Sequence, residues 1–72
     1  MNTEQLLQNT VAELAEAEYE LERWLLILRA TDISQTNILV VCREALAAWK
    51  TKHDQLMGQI SYLTNATELA LH

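Results

Sequence analysis

Thr31-Asp32-Ile33-Ser34-Gln35-Thr36-Asn37 lies between two unbroken apolar runs, Trp24-Leu25-Leu26-Ile27-Leu28 and Ile38-Leu39-Val40-Val41-Cys42. Aspartate, serine, threonine and asparagine side chains bond to nearby backbone and so favour turns and helix starts. The chain is therefore expected to reverse here. Asp32 with Gln35, or Ser34 by itself, has the chemistry to cap whatever follows.

On the N-terminal side, apolar residues recur at Leu7, Val11, Leu14, Leu21, Leu25 and Leu28, in steps of three and four. Glu18 fills the one missing slot. Such spacing is the seam of a heptad-patterned helix, with Leu7, Leu14, Leu21 and Leu28 on one line and Val11, Glu18 and Leu25 on the other. Asn2 or Thr3 can cap its start, with Gln5 completing a capping box from Asn2.

On the C-terminal side, Leu39, Cys42, Leu46, Trp49, His53, Leu56, Ile60 and Leu63 step by three and four again, with His53 as the polar member. The β-branched run at residues 38–42 also suits a buried strand. The helical period passes straight through it, however, and no second strand is available to pair with it. Proline is absent and Gly58 is the single glycine, so the turns a sheet requires are missing. The expected class is all-α: a helix over about residues 3–30, a turn over about 31–36 and a second helix over about 37–64. Asn65-Ala66-Thr67-Glu68 reads as another capping box, which places a short separate turn or helix over residues 66–71.

Two helices joined by a short connection form an antiparallel hairpin. The charges favour the same solution. Residues 1–36 hold seven acids and two bases, whereas residues 37–72 hold three of each. Folding at the turn brings Glu13, Glu16, Glu18, Glu20 and Glu22 towards Arg43, Lys50 and Lys52. It also brings the two polar seam members, Glu18 and His53, to similar heights, where they are expected to approach each other.

At 72 residues the chain is one domain. Domains of this size bury little surface and commonly need a disulfide, a metal or a partner. Cys42 is the single cysteine, so no internal disulfide forms. No His-x-x-x-His, Cys-x-x-Cys or Glu-x-x-His spacing occurs, and no metal or other cofactor is expected. Association remains. The runs beside the turn cover more than a full helical turn each, so the loop-proximal end is apolar all round. Trp24, Leu25, Ile27, Leu28, Ile38, Val41, Cys42 and Trp49 are the candidate partner interface, with the tryptophans as anchors. The coiled-coil-like hairpin is expected to dimerise into a four-helix bundle, or to dock on another protein through the same end.

Catalysis is not expected. Cys42 and His53 lie eleven residues apart on one helix, about 16 Å by the helical rise, too far for a nucleophile and its base. A phosphate-cradling glycine loop is impossible with one glycine. The Leu7-Leu14-Leu21-Leu28 spacing resembles a leucine zipper, but no basic region precedes it. With five basic residues and a net charge of −5, direct nucleic-acid binding is not expected.

No apolar run approaches the length of about 20 residues that a transmembrane helix needs. No secretory signal is visible, and a lone thiol suits a reducing compartment, so a cytoplasmic location and no membrane contact are expected. One alternative belongs to another class. The glutamates Glu13, Glu16 and Glu20 would form an acidic face that blocks a basic groove on an enzyme or nucleic-acid-binding protein.

Overall fold

The computed structural model describes the backbone of residues 2–71 and the side chains of residues 2–66. Two helices, α1 (Thr3–Ala30) and α2 (Thr36–Leu71), pack against each other as a hairpin of 58 × 17 × 14 Å. The chain is all-α.

α1 begins at Asn2, whose backbone is extended and whose Oδ1 accepts the Gln5 N–H at 2.7 Å. One of the four amides left open at a helix start is thereby satisfied. At the far end Arg29 lies in the last turn, where a cation suits the carbonyl end of the helix dipole. The Thr31 N–H bonds to the Leu28 carbonyl at 3.3 Å and its hydroxyl donates to the Ile27 carbonyl at 2.6 Å. Together these close the helix.

The connection is residues 31–35. Asp32 organises it: its side chain accepts the Ser34 N–H at 3.2 Å and its carbonyl accepts the Gln35 N–H at 2.9 Å. Asp32 thus folds the turn instead of capping α2. The first carbonyl of the α2 ladder belongs to Gln35, which accepts from Leu39 at 3.1 Å.

α2 then runs without interruption to Leu71. The boundary expected near Thr64 is absent. A capping box ends one helix and starts another only where the backbone leaves the helical region, and Ala66, Leu69, Ala70 and Leu71 all favour staying in it. The run at residues 38–42 is helical as well.

The α1 seam differs from its expected form by one residue on one line. Leu7, Leu14, Leu21 and Leu28 do face α2, but their companions are Thr10, Ala17 and Trp24. Val11, Glu18 and Leu25 are exposed. A leucine stripe at seven-residue spacing can be completed on either side, and desolvation decides. The first choice buries the Glu18 carboxylate, at a cost of several kcal/mol when unpaired. The second buries Ala17 entirely and lets the helices approach closely. Thr10 is also buried, and its hydroxyl donates to the Leu6 carbonyl at 2.8 Å, so no polar group is orphaned.

The α2 seam faces α1 over its whole length, with Cys42 and Leu56 as its most buried members. The level of the contact between Glu18 and His53 (3.6 Å) fixes the register. Carried along both helices, it sets Ala17 across from His53, Leu14 from Leu56, Leu21 from Trp49 and Leu28 from Cys42. At two of these levels a small residue opposes a larger one, Ala17 with His53 and Cys42 with Leu28, and there the helices can interdigitate at close spacing.

Gly58 lies within α2 with no atom closer than 4 Å to where a Cβ would stand. Gly58→Ala is expected to stabilise the hairpin by about 1 kcal/mol, through helix propensity and a less disordered unfolded chain. Thermal melts of the two proteins at equal concentration check this, and a rise of roughly 4–8 °C is the expected size.

Candidate interaction surface

A hairpin is two helices wide and one helix thick, so most of its surface belongs to two broad faces. Leu6, Glu13, Glu20 and Ile27 flank the α1 seam on one side, and Ile38, Ala45, Lys52 and Gln59 flank the α2 seam on that same side. We call this the Ile38 face. Val41 and Ala48 extend it outward. On the opposite side lie Val11, Glu18 and Leu25 with Arg43, Lys50 and Met57, extended outward by Val40, and this is the Val40 face. The assignment agrees with a groove of about 620 Å³ that Leu6 shares with Gln59, and with the Glu18–His53 contact on the other side.

Large apolar side chains remain in water on this small protein. Leu25, Leu26, Ile33, Ile38, Val40 and Val41 are all exposed, and each lies close to the turn. Ile33, at the tip, is 84% exposed. The loop-proximal end is therefore an apolar surface contributed by both helices. Of the residues singled out from sequence, Leu25, Ile38 and Val41 lie on it, and Ile27 and Leu28 are half-buried behind it. Cys42 does not: its side chain is fully enclosed by the hairpin, because it occupies a seam position level with Leu28. Ile33 joins the surface from the turn, and Leu26 and Val40 belong to it although neither lies on a seam. Their signal was available, since an apolar run longer than one turn must point some members away from any single seam.

Both tryptophans occupy seam positions and are half-buried. The Arg23 guanidinium lies 5.9 Å from the Trp24 ring centroid, and the Lys52 ammonium 5.3 Å from that of Trp49. Each indole thus seals the hairpin's own core under a cation, a pairing of about 0.5–1 kcal/mol at exposed sites.

His53 Nε2 is 3.6 Å from Glu18 Oε1, and His53 Nδ1 is 3.7 Å from Asp54 Oδ1. The Glu18 side chain is 60% exposed and that of His53 26%, so the pair meets at the edge of the seam. Exposed pairs of this kind are worth about 0–1 kcal/mol. A double-mutant cycle on Glu18→Gln and His53→Gln is expected to return a coupling of no more than about 0.5 kcal/mol. A coupling of about 2 kcal/mol would show a buried charge pair instead.

The acidic stretch is less uniformly available than its sequence suggests. Glu20 is largely covered and pairs with Arg23 at 3.3 Å, one turn along the same helix, while Glu13 and Glu16 are exposed. Among the described residues no ion pair joins these glutamates to Arg43, Lys50 or Lys52.

The groove of about 620 Å³ sits at the open end, away from the turn, between Leu6 and Thr10 of α1 and Gly58, Gln59, Tyr62 and Leu63 of α2. It arises where Thr10 and Gly58 supply little side-chain volume. Among the described residues, no group of three or more histidines, cysteines and carboxylates is placed to hold a metal ion. Nor is any helix there long and apolar enough to cross a membrane. Compared with protein-family models, curated proteins and solved structures, the chain has no match.

Proposed function

We propose that this protein is a non-enzymatic interaction module, a small helical adaptor or complex subunit of the cytoplasm. It acts through its apolar loop-proximal surface, and its first partner is a second copy of itself, in a four-helix bundle. The carrying observation is an area. The chain exposes 5580 Å². A compact monomer of 8.2 kDa exposes about 4,500 Å². The excess of about 1,000 Å² is comparable with the roughly 800 Å² per partner that a standard-sized interface covers.

Light scattering on the purified protein, over a concentration series and at two salt levels, tests this reading. A particle of twice the 8.2 kDa chain mass, little changed by salt, is expected. A monomer at all concentrations would overturn self-association and leave a different protein as the occupant. In the acidic-face alternative, Glu13 and Glu16 are the exposed members, and binding to a basic groove would weaken steeply as salt rises.

A further inference from the structure

The two broad faces are not equivalent near the turn. On the Val40 face, the exposed apolar residues Leu25 and Val40 are interspersed with Glu22, Arg29 and Arg43, all exposed. Close packing of a second chain there would strip water from three charges. On the Ile38 face, the corresponding stretch is Ile27 and Ala30 of α1 with Ile38, Val41, Ala45 and Ala48 of α2, and its one charge, Arg23 at the edge farthest from the turn, is paired with Glu20 at 3.3 Å. Alanines at 45 and 48 also leave room for a helix to come near.

A two-fold axis that joins two such faces must lie in the interface plane, and only two directions bring four helices into alignment. An axis across the hairpin stacks α1 on α1 and α2 on α2, with the turns at opposite ends. Glu13, Glu16 and Glu20 then meet the same three residues of the second copy near the axis. An axis along the hairpin stacks each α1 on the other copy's α2, with both turns at one end. The glutamates then face Lys52, Gln55 and Gln59, and the apolar stretches beside the turns cover each other. Like charges brought together with little water between them repel strongly, and opposite charges steer and align.

We infer that the homodimer forms through the Ile38 face, with its two-fold axis along the hairpin and its two turns side by side. The inference rests on the self-association proposed above and adds its face and direction. It leaves the Val40 face, with Glu18 and His53, turned outward on both sides of the bundle, available to a further partner.

Two measurements test it. Val41 and Val40 are adjacent, chemically identical and equally exposed, at 53% and 52%, yet they lie on opposite faces. Val41→Glu is expected to raise the dimer dissociation constant at least about a hundredfold, because a carboxylate enters the dry interface twice. Val40→Glu is expected to change it by less than about threefold. Equal effects, or the reverse order, would overturn the face.

Direction is read by a spin label on Ser34→Cys at the exposed tip, with the enclosed Cys42 left unlabelled. Neighbouring helices lie about 10 Å apart, so turns side by side give a label separation within about 30 Å. Turns at opposite ends give a separation near the 58 Å length of the hairpin. A dimeric mass with the long separation would overturn the direction while leaving self-association intact. A monomeric mass would overturn both. Should Val41→Glu lose its helical circular dichroism, the labelled protein, which keeps both faces unaltered, still decides the direction, and Ala48→Glu repeats the test of the face.

Discussion

Leu56→Ala is expected to leave the chain largely unfolded at room temperature. Leu56 is 4% exposed and is the only large aliphatic side chain this deeply buried among the described residues. Its level on the seam is that of Leu14, midway between the turn and the open end. Removing a buried leucine side chain costs about 2–5 kcal/mol, the upper part of that range applying where the surroundings cannot collapse into the gap. A single core of this size supplies roughly 3–5 kcal/mol in all. The loss is thus comparable with the whole. Leu56→Met, which conserves volume, is expected to cost less than about 1.5 kcal/mol. Helical circular dichroism against temperature, at fixed concentration because association adds to stability, checks both. An alanine variant melting within a few degrees of the parent would mean that the hairpin's own seam does not carry its stability.

The second large effect is expected at Ala17, and it separates the two ways of completing the leucine stripe. Ala17 is fully buried on the seam, level with His53, so Ala17→Leu forces three more carbon atoms into a filled seam. Overpacking of this kind costs about 1–3 kcal/mol and displaces the backbone. Glu18→Leu, one residue along, adds an apolar side chain at an exposed site and is expected to lie within about 0.5 kcal/mol of the parent. If the seam ran through Glu18, the order would invert: leucine there would stabilise the core and leucine at position 17 would be tolerated. Chemical denaturation of the two variants gives the answer directly.

The reason Glu18 invited the wrong line is instructive. Periodicity sees which residues repeat and is blind to small ones. Val11, Leu25 and the leucines form a conspicuous apolar pattern, and a single glutamate looked like a tolerable exception. Thr10 and Ala17 are weak signals by hydrophobicity, yet burial favours them because they have nothing costly to desolvate. In α2 no such competition arises, since the residues beside the seam include Arg43, Lys50 and Lys52, and that seam was legible throughout. The turn was legible from its composition, whereas the role of Asp32 was not, because an aspartate supports a turn and a helix cap with the same side-chain oxygen. The continuous end of α2 was hidden for a related reason: a capping box describes a start that is possible, and only the backbone shows whether the preceding helix stops. The loop-proximal surface could be read as apolar, but its division into a more charged and a less charged face required the register.

The enclosure of Cys42 has a practical consequence. A thiol reacts as its thiolate and only where a reagent can reach it, so this one stays silent while the helices remain together. It becomes visible each time they part near Leu28. Under conditions where reclosing outruns modification, the rate of labelling by an aromatic disulfide measures the fraction of time the protein spends ajar. The chain therefore carries its own clock for opening, in one native atom, without any foreign probe in its core.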